Sequence, residues 1–147
     1  MKTSGDNVPA SERSLGHLIH LLNQHKDREL NQRTAHLDIT AAQFKVIICI
    51  SKGMVNPVEI CRRLSLDGGA LTRLLDRLEK KGLLVRVKNA QDRRQVIIQP
   101  TPRGDELIAQ VPQIVFDTSI SMTRNLNDDE ISTLKHLIKK IIDSGAE

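Results

Sequence analysis

Leucine and isoleucine recur along this chain at two different spacings, and the switch between them marks out its organisation. Leu15, Leu18, Ile19 and Leu22 fall three and four apart, and Leu30 extends the pattern to about residue 35, as on one face of a long helix. Thr40-Ala-Ala-Gln43 has the form of a capping box, in which each of the two polar side chains serves the other residue's backbone N–H. It opens a second helix with Phe44, Ile47 and Ile48 inside, ended by Gly53. Asn56-Pro57-Val58-Glu59 supplies a cap, a proline at the first helical position and an acid at the third, so a short helix bearing Ile60, Cys61 and Leu64 starts there. Beyond the link Ser65-Leu66, Asp67 caps a helix whose Leu71, Leu74, Leu75 and Leu78 follow the i, i+3, i+4, i+7 rule, and Gly82 suits a left-handed stop. Two short helices joined by so tight a turn make a helix-turn-helix candidate.

After Gly82 the period falls to two. Val85 and Val87 alternate with Arg86 and Lys88, Asn89 to Arg94 form a polar turn, and Val96 and Ile98 alternate with Ile97 and Gln99 before Pro100. This predicts a β-hairpin with a basic tip. Thr101-Pro102 starts another helix, with Leu107, Ile108, Val111, Ile114, Val115 and Met122 at helical spacing and a bend expected at Pro112. A second capping box, Asn127 to Glu130, opens a last helix bearing Ile131, Leu134, Leu137, Ile138, Ile141 and Ile142.

Composition narrows the function classes. There is no Trp or Tyr among the 147 residues, and Phe44 and Phe116 are the only aromatics of the Phe/Tyr/Trp set, which argues against the stacking platforms of single-strand and RNA binders. Cys49 and Cys61 are too few and too isolated for a disulfide framework. The polar stretch from Met1 to Glu12 has no apolar leader core, and no run of apolar residues is long enough to span a membrane; a cytoplasmic protein is the expectation. Charge is uneven. Residues 62–103 hold eleven Lys/Arg against four Asp/Glu, whereas the rest of the chain holds eleven against fourteen. So local a surplus suits a polyanionic partner, although a solvated basic face would look the same.

The helix from Asp67 to Lys81 gives that surplus a shape. Opposite its leucines lie Gly69, Ala70, Thr72, Arg73, Asp76, Arg77 and Lys80. Small residues at the start permit close approach, and the positive end of the helix dipole attracts phosphate. Thr72 and Arg73 sit where a helix in the major groove reaches base edges, Arg being suited to guanine, while Arg77 and Lys80 fall nearer the backbone. A helix-turn-helix followed at once by a hairpin tipped with Arg93 and Arg94 is the winged-helix arrangement, whose wing reaches the minor groove or the phosphates. The narrow minor groove favours Arg. The terminal helices lie outside this core, and Ile138, Ile141 and Ile142 have no evident partner in the chain. A two-fold dimer interleaving these ends would bury them and set two recognition helices roughly 34–36 Å apart; the other reading is that they cap the monomer core.

With these residues in place the chain resembles the MarR family of bacterial winged-helix regulators from about Leu15 to Ile142. The resemblance is carried by Leu37 to Val46, by Asp67-Gly-Gly-Ala-Leu-Thr-Arg73 with Leu75-Asp-Arg-Leu78, and by Asp92-x-Arg94 followed by Thr101 and Gly104. Pro100 departs from the Leu usual there. The architecture implied is mainly α with a small β-wing: a winged helix-turn-helix over residues 37–102, helices from 12–36 and 103–147 forming a dimerisation region, and a loose tail over 1–11. The resemblance further implies a homodimeric repressor of a pseudo-palindromic double-stranded operator, released by small anionic phenolic acids such as salicylate and controlling antibiotic or xenobiotic resistance genes. By motif, Ser65, Thr72, Arg73 and Arg77 would face the major groove, with Gly69, Ala70, Arg86 and Arg93 also at the DNA. Arg94 would enter the minor groove, braced by a salt bridge from Asp92. The effector would lie beside Pro57, Ala70, Thr72, Arg77 and Arg86, where guanidinium–carboxylate pairing is charge-assisted. Lys80 stands where some relatives carry an oxidisable cysteine, so no thiol switch is expected at that site.

Other readings make different demands. No metal or cofactor is expected, although His17 and His20 share a helix face and a metal-responsive regulator of the same fold would use such a pair; a ligand-independent regulator is the other alternative. An architectural protein would share the salt dependence without the sequence preference. An enzyme would need a phosphate loop, a metalloprotease helix or a nucleophile elbow, and none of these motifs occurs.

Overall fold

A computed structural model describes residues 14–145; the tail expected over 1–11 lies outside the described residues. The elements run α1 (Leu15–Thr34), a 3-10 turn (Ala35–Leu37), α2 (Ala41–Ser51), α3 (Pro57–Leu64), α4 (Gly68–Lys80), β1 (Leu84–Lys88), β2 (Val96–Pro100), α5 (Pro102–Met122) and α6 (Asp128–Ser144). The helix starts follow the expected caps. Both capping boxes form, Thr40 with Gln43 and Asn127 with Glu130, and Asn56, Asp67 and Thr101 each cap the helix that follows. Gly53 and Gly82 adopt positive φ where α2 and α4 stop. Pro112 lies inside α5, which continues through it to Met122.

The core is aliphatic apart from Phe44 and Cys49. It gathers Ile47 and Val46 of α2, Ile60 of α3, Leu71, Leu75 and Leu78 of α4, Leu84 and Ile98 of the hairpin, and Leu107, Val111 and Ile114 of α5. Leu74, expected on the same stripe, is half-buried and packs at the margin. Three polar residues sit inside with partners, and one of them, Thr118, donates its hydroxyl to the Ile114 carbonyl at 2.7 Å. Gln43 is buried and accepts from Lys81 Nζ at 3.0 Å; Lys81 also donates to the Asp38 carbonyl, tying the end of α4 to the α2 entry. The Thr34 hydroxyl is within 2.9 Å of the Leu30 carbonyl and 2.6 Å of that of Ile39, which holds the turn between α1 and α2.

β1 and β2 pair antiparallel, with Leu84 opposite Pro100, Arg86 opposite Ile98 and Lys88 opposite Val96. Two strands alone are marginal in water. Here the Ile98 N–H donates to the Val55 carbonyl at 2.8 Å, so the residue ahead of α3 adds a third rung. The inward face is that of Leu84, Arg86 and Ile98, while Val85 is exposed.

α1 and α5 pack against each other and α2, but α6 has no buried residue. Its Leu134, Leu137, Ile138 and Ile141 lie at i, i+3, i+4, i+7, and Ile142 is 63% exposed. α1 offers a matching stripe of Leu15, Leu18, Ile19 and Leu22, with Leu15 at 62%, and α5 adds Phe116 at 60% and Ile120.

Candidate nucleic-acid interface

α4 buries its leucines and turns the opposite side to solvent. Gly69, Thr72, Arg73, Asp76, Arg77 and Lys80 are exposed, and Ala70 is half-buried. The Thr72 hydroxyl donates to the Gly68 carbonyl at 2.8 Å, which fixes its rotamer and leaves its lone pairs to accept. Ser65 ends α3 with φ +54° and is exposed in the turn between the two helices. At the start of α4 the Asp67 carboxylate accepts from the Ala70 N–H at 2.7 Å. The Asp67 carboxylate thus caps one of the first amides of α4, and its position at the helix N-terminus weakens the attraction of that end for phosphate.

The wing carries Arg93 and Arg94 exposed at its tip. The salt bridge expected between Asp92 and Arg94 is not among the ion pairs of the described residues. Instead Asp92 Oδ1 accepts from the backbone N–H of Arg94 at 3.1 Å and its carbonyl accepts from Gln95 N–H at 3.0 Å. Asp92 thus shapes the turn, as short acidic side chains do by bonding the backbone two residues on, and the Arg94 guanidinium is left to point elsewhere.

Arg86 is placed differently from the rest. Its guanidinium lies against α4, 2.6 Å from Asp76 and 2.6 Å from Glu79. Hydrogen bonds from Arg86 hold the Glu79 carboxyl below the usual glutamate range, and those with Glu79 and Asp76 raise the guanidinium further. Of the residues expected around an effector, Thr72 and Arg77 are open, Pro57 and Ala70 half-buried, and Arg86 already paired.

One hollow was not foreseen from the sequence. A cavity of about 290 Å³ between α1, α2, α3 and α5 has Leu30 and Ile48 on its walls and Lys26, Lys52 and Arg63 around it, with Lys45 held by Asp27 at 2.7 Å. Its basic residues come from three helices, so no local spacing announces it. Cys49 lines its floor, with burial pushing the thiol pKa up, and Cys61 is half-buried. His17 and His20 have ring centroids 6.4 Å apart, and among the described residues no group of three metal-ligating side chains converges. Lys80 is exposed at the end of α4. No helix among the described residues is long and apolar enough to cross a membrane.

A profile of the MarR family matches residues 39–96, which include α2, α3, α4, β1 and the turn up to the first residue of β2. The multiple antibiotic resistance protein MarR of Escherichia coli (strain K12) is 47% identical over 130 residues, covering 87% of this chain and 90% of that protein. The HTH-type transcriptional regulator SarZ of Staphylococcus haemolyticus is 32% identical over 110 residues, covering 72% and 74%. Among solved structures, the reduced form of E. coli MarR matches with a TM-score of 0.80 at 47% identity, over 87% of this chain and 96% of that one. A cysteine-to-serine variant of E. coli MarR complexed with operator DNA matches with a TM-score of 0.78 at 47% identity, over 86% and 92%. Helix order, two-stranded wing and sequence agree across nearly the whole length, and the chain belongs to the MarR family, a family of transcriptional regulators and not of enzymes.

Proposed function

We propose that the protein is an operator-binding repressor that works as a homodimer on a pseudo-palindromic site, governs antibiotic or xenobiotic resistance genes, and is released by small phenolic acids. The observation that carries the DNA reading is the exposed side of α4, with Thr72 open to solvent and Arg73 and Arg77 in no ion pair among the described residues, set beside a wing tipped by Arg93 and Arg94. Arg73 reads base edges, Ser65 and Arg77 fix the register, and Arg94 enters the minor groove. Similarity to E. coli MarR, whose variant was solved with operator DNA, supports the same partner. Such a protein acts where the bacterial chromosome lies, in the cytoplasm.

Dimer formation rests on the apolar stripes of α1, α5 and α6, which one copy leaves open. For the effector, the set beside α4 offers Arg77 as the free guanidinium. The basic-rimmed hollow is a second reading, favoured by its largely apolar lining. A gel shift on DNA upstream of the protein's own gene, with and without salicylate, tests both claims. A shift reversed by millimolar salicylate supports the whole reading. One that persists removes the effector, and the absence of any shift against random competitor removes the specific DNA reading.

A further inference from the structure

Arg86 makes four contacts to two carboxylates on the helix that its strand packs against. Its Nη2 donates to Glu79 Oε2 at 2.6 Å and its Nε to the same oxygen at 3.2 Å, while its backbone N–H donates to Glu79 Oε1 at 3.2 Å. Asp76 Oδ1 lies 2.6 Å from Nη2. Both oxygens of Glu79 are therefore committed to one residue of β1, one to its main chain and the other to its side chain. Asp76 and Glu79 stand three apart and share a flank of α4, about a third of a turn from Arg73 and Arg77. One guanidinium between two carboxylates leaves this spot with a net negative charge. A phosphate or a carboxylate effector approaching Arg86 would meet that charge first.

We propose that Asp76 and Glu79 are positioning residues for the wing: through Arg86 they hold β1 against the recognition helix and so set the span between Arg73 and the wing tip at Arg94. Arg86 on this view is a brace, not a contact to DNA or effector. The claim that the span matters for operator binding rests on the DNA reading above; the brace itself does not. The hairpin is also attached to the body by the Ile98–Val55 rung, by the buried Leu84 and Ile98, and at its base by the Thr101 N–H, which donates to the Leu83 carbonyl. Among the side-chain hydrogen bonds of the described residues, those of Arg86 alone join β1 to α4.

The test uses the full chain and four variants: Glu79→Gln, Arg86→Ala, Arg86→Glu, and the swap that joins Arg86→Glu to Glu79→Arg. Operator binding is measured over a salt series, and amide hydrogen exchange is followed over residues 84–100. A brace predicts that Glu79→Gln weakens operator binding by about tenfold, although it removes a negative charge beside DNA. It predicts that Arg86→Ala leaves the salt slope unchanged and that the swap recovers much of what Arg86→Glu loses. Exchange over 84–100 quickens in Glu79→Gln and Arg86→Ala while that of α1 and α5 stays put.

Tighter binding by Glu79→Gln, with a salt slope lowered by about 0.9 in Arg86→Ala, would make Arg86 a phosphate contact and overturn the proposal. Unchanged exchange in both variants would overturn it whatever the DNA result. If the wild-type chain binds no operator but exchange responds as expected, the brace stands and the DNA reading falls.

Discussion

Gly104 comes so close to Leu83 that a Cβ added to it would lie 2.0 Å from the Leu83 carbonyl oxygen. The obstacle is backbone, and it is fixed on both sides. The Thr101 hydroxyl donates to the Gly82 carbonyl at 2.6 Å and accepts from the Gly104 N–H at 3.0 Å, while the Thr101 N–H donates to Leu83 at 3.1 Å. The first turn of α5 is thereby clamped to the turn between α4 and the wing. Gly104→Ala is expected to lower stability by about 1–3 kcal/mol, as overpacking does, and Thr101→Ala by about 0.5–2 kcal/mol as a lost cap. Urea melts would check both, and a Gly104→Ala midpoint equal to wild type would show that α5 slides freely.

Arg73 and Arg94 are expected to fail in different ways. Arg73→Ala should cost about 1–3 kcal/mol on the cognate operator and relax base preference at one position of each half-site. Arg94→Ala should cost more on sites with A·T-rich flanks than on G·C-rich ones, because the narrow A-tract groove is what an inserted arginine reads. Binding titrations on a small panel of operators separate the two. Equal losses on every sequence would reduce either residue to a phosphate contact.

Acid should loosen the fold by a defined route. Glu79 is held below the ordinary glutamate range by Arg86, and Glu29 by its hydrogen bond with Ser121 and then by Arg33. A carboxyl whose folded pKa is depressed adds stability that is complete above its unfolded value and is lost as pH falls through the folded one. Thermal melts should therefore hold steady from neutral pH to just above the ordinary glutamate range and decline below it. The combined Glu29→Gln, Glu79→Gln variant should start lower and decline less. A parallel decline in both proteins would place the acid sensitivity elsewhere.

The stripes on α1 and α6 make a prediction about assembly. Ile141→Glu places a charge within the apolar row of Leu134, Leu137 and Ile138, where an ion excluded from water is costly unless paired. Sedimentation should show a dimer for the wild type and a shift to monomer for the variant, with a melting temperature that no longer rises with protein concentration. A wild-type monomer at tens of micromolar would mean that these stripes have another use.

Most of the fold was legible because its signals are local. Thr40 with Gln43, Asp67 ahead of the leucine stripe, and Gly82 at a left-handed stop each act within one turn of helix, and each sits where its spacing puts it. The orientation of Arg86 was harder to read. Val85 and Val87 suggest a hairpin in which valines alternate with cations, but Leu84 and Ile98 take the inward face, and in a strand the parity of one residue settles that of all. With Leu84 as the first inward position, Arg86 is the second, within reach of Glu79. Asp92 is ambiguous for a related reason: an Asp two residues before an Arg serves equally as an ion pair or as a turn-former, and spacing does not separate them. The basic-rimmed hollow joins residues from distant parts of the chain, and no short window contains it.

The hydrogen bond from Ile98 to Val55 has a mechanical implication. Because the hairpin hangs from the segment that leads into α3, tilting that helix tugs on β2 at its middle. A small molecule lodged behind α3 would not have to touch any side chain that faces the duplex. On the proposed reading, nudging this point of attachment would disturb the grip in both grooves together, and release would come as one event instead of two.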